Sequence, residues 1–217
     1  MNGITHIVSM VNAPWCGWTM LVLFLCALFS EVFQPGLLTQ AASSLLAKTN
    51  RTYKAAPNNF MGQLLVNIFR MGTLGMALCM CFSESSTTHF LTLLIVCGVL
   101  LSVLAVKMLC NVIVDYTFQL SRHYMPIYEH YANLMTLAMM VLYPAVLVLM
   151  HWGTPLAARW TLGIMAVLFL CMWIYRSARI FLVSPLALVY LIIYILTLEV
   201  LPMAGLYILT AQIISRL

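Results

Sequence analysis

The sequence predicts an all-α fold: a bundle of about six transmembrane helices forming a single integral membrane domain over residues 1–217. Three observations lead to it. Of the 217 residues, 64% are hydrophobic and only 7% charged, against about 45–50% and about 25% in soluble domains. The apolar residues arrive in blocks of roughly 20, the length a helix needs to cross a bilayer core. Nor do these blocks alternate polar and apolar residues over roughly ten positions, as the strands of a membrane barrel do. A water-soluble fold is excluded by composition.

The first predicted span is 15–33. The opening "MNGITHIVSMVNAPW" lacks a basic n-region, with no lysine or arginine, and "FSEVFQPG" is a poor cleavage site, so the span reads as a retained anchor rather than a secretory signal. Residues 34–60 form a basic connector. Its "QPG" is a turn signal, "KTNRTYK" is polar and cationic, and Asn58 or Asn59 is placed to cap the next helix. The tripeptide Asn50-Arg51-Thr52 is a glycosylation sequon only in a eukaryotic lumen, a setting the predicted topology argues against.

The second span, 61–82, carries Arg70. An alternative five-span reading would lay part of it along the membrane surface, but Met71 to Phe82 alone would cover only about 18 Å and could not cross. From the end of the third span, 90–110, Lys107, Asn111, Asp115 and Arg122 fall at steps of four, four and seven. This spacing predicts a helix continuing past the apolar core with one solvated face. The segment "SRHYMPIYEHYANL" then gathers His123, Tyr124, Tyr128, Glu129, His130 and Tyr131. Tyrosines at a membrane boundary present a ring to lipid and a hydroxyl to water, so the cluster reads as interfacial. A metal site would need His123, Glu129 and His130 to converge, and Pro126 is expected to interrupt the helix between them; no metal and no cofactor is expected. Spans at 131–150, 158–175 and 185–210 complete the set. The short loops "SESSTT" and "WGTP" make their flanking helices close neighbours.

Basic residues near span ends stay preferentially in the cytoplasm. With the N-terminus outside, Lys48, Arg51, Lys54, Lys107, Arg122, Arg176 and Arg179 fall inside, and Arg159 and Arg216 outside. Both termini are therefore predicted to be non-cytoplasmic. The net charge of +5 is this topology signal, with some attraction to anionic lipid; it calls for no nucleic-acid partner. The seven cysteines all lie in or beside spans and read as small buried apolar residues rather than a disulfide framework.

No Gly-x-Ser-x-Gly, His-Glu-x-x-His or phosphate-binding glycine loop is present, so no enzymatic activity is expected. The methionines of "LMTLAMM" and the run Cys79-Met80-Cys81 offer soft ligands of the kind copper selects, but adaptable core packing accounts for them better. The chemistry that stands out is ionic. Glu199 lies in the apolar run "LIIYILTLEVLPMAGLYIL" three residues before Pro202, where a charge costs about 2.5–3.5 kcal/mol on insertion scales. On the second span Gln63, Asn67 and Arg70 share a face with the small Ala77. Arg70 is the predicted partner of Glu199, and Tyr207, about two turns beyond Glu199, is a candidate donor to the same cluster. The pair reads either as a clamp between helices or as a carboxylate that carries protons.

The C-terminal part, in particular "RSARIFL" and "SPLALVYLIIYILTLEVLPMAGLYIL" with Glu199 and Pro202, together with "SRHYMPIYEHYANL", resembles the bacterial multi-pass membrane family known as domain of unknown function 4271. The similarity covers roughly Arg70 onward. It implies a protein of a Gram-negative inner membrane and brings no established activity. The resulting expectation is a scaffold or accessory subunit for envelope assembly or transport, surrounded by the lipid bilayer and working with a membrane-protein partner or a second copy of itself. The alternative is a small proton-coupled permease using Glu199.

Overall fold

A computed structural model of the chain describes residues 14–36, 59–82, 90–118, 121–152 and 154–181, together with positions 205, 208 and 212. The described segments form five helices: α1 (Pro14–Phe33), α2 (Phe60–Phe82), α3 (Phe90–Phe118), α4 (Ser121–Trp152) and α5 (Pro155–Phe181). Each contains a stretch long and apolar enough to cross a membrane. The expected sixth span lies outside the described residues except for Gly205, Ile208 and Gln212, all three helical.

Local sequence sets the helix ends. Asn59 caps α2 as expected: its side-chain oxygen accepts from the Met61 amide and its carbonyl from the Gln63 amide. Thr154 caps α5 in the same way, accepting the Ala157 amide at 3.2 Å, and Pro155 follows in the first helical position, where its missing donor is not needed. At the far end of α1 the chain turns at Gly36, whose φ of 88° is one that other residues rarely adopt. The Glu31 carboxylate accepts the Gly36 amide.

The centre of the bundle is α2, which touches each of the other four helices. More than half of its apolar stretch is buried, against a third or less for the others. Small residues make this possible. A Cβ on Gly72 would lie 2.3 Å from the Leu23 side chain of α1, and one on Gly75 would lie 2.9 Å from the Cys97 sulfur of α3. Around these contacts Met76, Ala77, Leu78, Cys79, Met80 and Cys81 are buried against Cys16 and Met20 of α1, Leu93, Val96 and Leu100 of α3, and Met139, Leu142 and Val146 of α4. Met20, Met76, Met80 and Met139 thus fill the core together with Cys16, Cys79 and Cys81. Cys171, by contrast, is exposed on α5.

Polar tethers fix the two ends. At one end Arg159 of α5 donates through Nε to the Cys81 carbonyl at 2.8 Å, satisfying an acceptor that the last turn of α2 leaves open. Trp15 of α1 meets Phe90 of α3 edge-on at the same end. Between the ends, the Tyr143 hydroxyl donates to the Met20 carbonyl at 3.0 Å, joining α4 to α1. At the opposite end, where Asn59 donates to the Phe33 carbonyl, α3, α4 and α5 meet around Tyr131.

Two expectations are corrected here. Pro126 does not interrupt the helix: α4 runs continuously from Ser121 through it. Near a helix start, proline removes a single bond, the one to the carbonyl four residues back, and the turns beyond continue. Arg122 does not share a helix with Lys107, Asn111 and Asp115, because α3 ends at Phe118 and Arg122 begins α4. The expected continuation of α3 beyond its apolar core is present, to Phe118.

Candidate functional site

The polar residues of α2 are arranged in one stripe. Gln63, Asn67 and Arg70 occupy about 60° of helix circumference at 3.6 residues per turn. The stripe borders the face on which Val66, Phe69 and Thr73 are buried. Gln63 and Asn67 are exposed, Arg70 is half-buried, and Ala77, further along, is in the core.

Arg70 reaches a residue the sequence did not single out, Thr136 of α4. The guanidinium donates to the Thr136 hydroxyl through Nε at 3.1 Å and also through Nη2, while Nη1 donates to the Asn67 side-chain oxygen at 3.1 Å. Thr136 is 1% exposed, and its own proton goes to the Ala132 carbonyl at 2.8 Å. A hydroxyl has one proton and two lone pairs. With the proton directed into α4, both lone pairs are left to accept the fork of Arg70.

Helix geometry also sets the depth of the charge. The Arg70 backbone is ten residues, about 15 Å, from Phe60 where the apolar stretch of α2 begins. Side chains on a helix lean toward its N-terminus, and Arg70 follows this direction, reaching Asn67 one turn back. Thr136 lies only five residues, about 7.5 Å, from Tyr131 at the start of the α4 stretch. The charged head therefore sits nearer the Asn59 end than the backbone position indicates, which is snorkelling. Glu199, Pro202 and Tyr207, the other members of the expected cluster, lie outside the described residues.

A second polar group stands at that end. The Lys107 ammonium donates to the Tyr131 hydroxyl at 2.8 Å and lies 4.0 Å from the centre of the Tyr131 ring, combining a hydrogen bond with a cation–π contact. Tyr131 also meets Trp173 and Phe169 of α5 edge-to-face, with centroids 5.0 and 5.6 Å apart. Of the interfacial cluster, Tyr131 thus joins three helices. His123, Tyr124, Tyr128, Glu129 and His130 lie along the first turns of α4; there His123 and His130 are about 10.5 Å apart along the axis. Among the described residues no three His, Cys, Asp or Glu side chains come together to hold a metal ion.

An all-α bundle whose described residues form five helices long and apolar enough to cross a membrane, with the Arg70 guanidinium forked onto a buried hydroxyl, is built as a polytopic membrane domain is. The chain belongs to the family described as Domain of unknown function (DUF4271), whose model matches residues 17–209. The match begins within α1, well before the Arg70 boundary drawn from short motifs, so the first helix and the basic connector are part of the family pattern. No curated protein and no solved structure matches the chain.

Proposed function

We propose that the protein is a non-catalytic scaffold or accessory subunit of a bacterial inner membrane, serving envelope assembly or transport together with a membrane-protein partner or a second copy. The observation that carries this reading is the fork of Arg70 onto Thr136. A guanidinium keeps its charge at any accessible pH, and here three of its hydrogens are directed to oxygens of two adjacent helices. That is the construction of a strut. Glu199 supplies the counter-charge in this reading, completing a clamp between α2 and the last apolar run. The distribution of cations supports a cytoplasmic Asn59 end: Lys107 lies there, as do the helix segments bearing Arg122, Arg176 and Arg179, whereas Arg159 lies at the other end.

Affinity purification in mild detergent from the native host, with identification of the recovered proteins, tests the proposal. A stoichiometric membrane partner or a stable homo-oligomer is expected, and a monomer that alone changes proton flux in liposomes refutes it. The exposure of Gln63 and Asn67 beside Arg70 favours one second reading, a proton-coupled permease. The double variant Arg70→Gln, Glu199→Gln separates the two. A clamp recovers accumulation and native function when both charges go together, whereas a proton carrier recovers accumulation only.

A further inference from the structure

We propose that α1 and α2 together build a buried, all-sulfur site for a soft monovalent metal ion, the cuprous ion, from Cys16 and Met20 of the first helix and Met76 and Cys79 of the second. The inference goes beyond the scaffold reading and does not depend on it.

The register of the two helices places these residues. Leu23 lies against Gly72 and Gln34 against Gly62, so α1 and α2 run antiparallel and positions pair in descending order along one as they ascend along the other. Seven residues fall within about 20° of two full turns. Seven steps back from Leu23 stands Cys16, and seven steps on from Gly72 stands Cys79, so the two cysteines face each other at one level. Met20 and Met76, each one turn from its cysteine on the same helix face, pair at the next level, about 5 Å deeper. All four belong to one core cluster, with Cys16 0%, Met20 3%, Met76 2% and Cys79 2% exposed. The runs that the sequence offered as soft ligands, Cys79-Met80-Cys81 and "LMTLAMM", place neighbouring sulfurs on different sides of a single helix. The fold instead gathers sulfur from facing positions of two.

Thiol and thioether sulfurs are soft donors, which select the cuprous ion over harder divalent metals. Two thioethers beside two cysteines also need no third His, Cys, Asp or Glu. Binding breaks one S–H bond, forms a bond from that sulfur to the metal and releases the proton to solvent. The ion and one thiolate are then neutral together, as an apolar core requires; the second thiol and the thioethers coordinate through lone pairs. Entry is short. Cys16 is about 3 Å along the axis from Pro14 and Cys79 about 4.5 Å from Phe82, where the two helices begin and end.

The full chain, purified in detergent with its thiols reduced, is titrated with cuprous ion against the chromophoric chelator bicinchoninate, and X-ray absorption at the copper edge reads the donor atoms. One ion per chain held by sulfur alone is expected, with affinity rising as pH rises because a proton must leave. The double variant Cys16→Ala, Cys79→Ala should lose the ion. Met76→Leu, a volume-conserving change that cores tolerate, should weaken binding by at least the roughly tenfold that loss of even an outer partner costs a metal site. Cys171→Ala, exposed on α5, should bind as the wild type does. Where the double variant does not accumulate, Met76→Leu and Met20→Leu decide the question. A wild-type chain that retains no ion, a donor set of nitrogen or oxygen, unchanged affinity in the variants at the four positions, or loss of the ion in Cys171→Ala overturns the site.

Discussion

The contact most open to quantitative attack is the fork from Arg70 to Thr136. Thr136→Val keeps the shape of the side chain and removes the oxygen that accepts both Nε and Nη2. Hydrogen bonds to charged groups contribute about 1.5–3 kcal/mol in soluble proteins, but interhelical bonds within membranes average about 0.6 and reach about 1.7 kcal/mol. Because both donors share one acceptor, the second adds less than the first. Because Arg70 is only half-buried, water and Asn67 recover part of the loss, and solvent screening weakens the rest. A coupling of about 1–1.7 kcal/mol is expected, near the upper membrane value. Thr136→Val also frees the Ala132 carbonyl from its side-chain bond, so the single variant cannot isolate the fork. A double-mutant cycle with Arg70→Met cancels that contribution, since it is lost on both sides of the cycle. Reversible unfolding in mixed micelles by added dodecyl sulfate provides the four free energies. Additivity within about 0.3 kcal/mol would refute the reasoning, because residues that share no interaction add to that precision.

Three further outcomes follow from the packing. Gly72→Ala places a methyl 2.3 Å from Leu23 and should destabilise by about 1–3 kcal/mol; Gly17→Ala, with open space around it, should be neutral or stabilise by up to about 1 kcal/mol, and the same unfolding assay distinguishes them. Tyr131→Phe removes the bond from Lys107 but keeps the ring, so it should cost about 1 kcal/mol, whereas Tyr131→Ala, which also removes the edge contacts with Trp173 and Phe169, should cost about 3–5 kcal/mol. Arg159→Ala leaves the Cys81 carbonyl without its tether from α5 and should speed amide exchange in the last turn of α2 while leaving the Asn59 end unchanged; uniform exchange along α2 would refute that assignment.

What the sequence made legible was governed by whether the signal was local. Five of the expected spans appear as helices because length and apolarity are properties of single segments, and the Asn59 cap was readable because capping is satisfied within one turn. The role of α2 as the hub was not readable. Gly72 and Gly75 are visible in "GTLGMALC", but a glycine does not announce which helix will press against it, and the contacts with Leu23 and Cys97 come from distant segments. Thr136 was missed for the same reason: a lone threonine within "NLMTLAMM" looks like ordinary helix surface until Arg70, 66 residues away, is seen to reach it. The Arg70 stripe itself was found from its spacing. Spacing locates a backbone, however, and not the end of a long side chain, so the reach of Arg70 back to Asn67 and across to Thr136 was not readable.

The position of Arg70 follows from two demands on the same helix. The hub needs small residues, and these occupy the later half of α2, from Gly72 to Cys81, where α1, α3 and α4 approach most closely. A long cation there would hold the helices apart. In the first half α2 is less enclosed, and exposed Gln63 and Asn67 already interrupt its apolar surface. Placing the arginine at the boundary between the halves lets its backbone belong to the packed part while its head, directed back toward the N-terminus, belongs to the polar part. A lysine at the same position could reach as far, but its ammonium is a compact point charge rather than a planar fork. It could not donate through two nitrogens to Thr136 while a third donates to Asn67, which is why Arg70→Lys should retain the charge yet lose most of the coupling between α2 and α4.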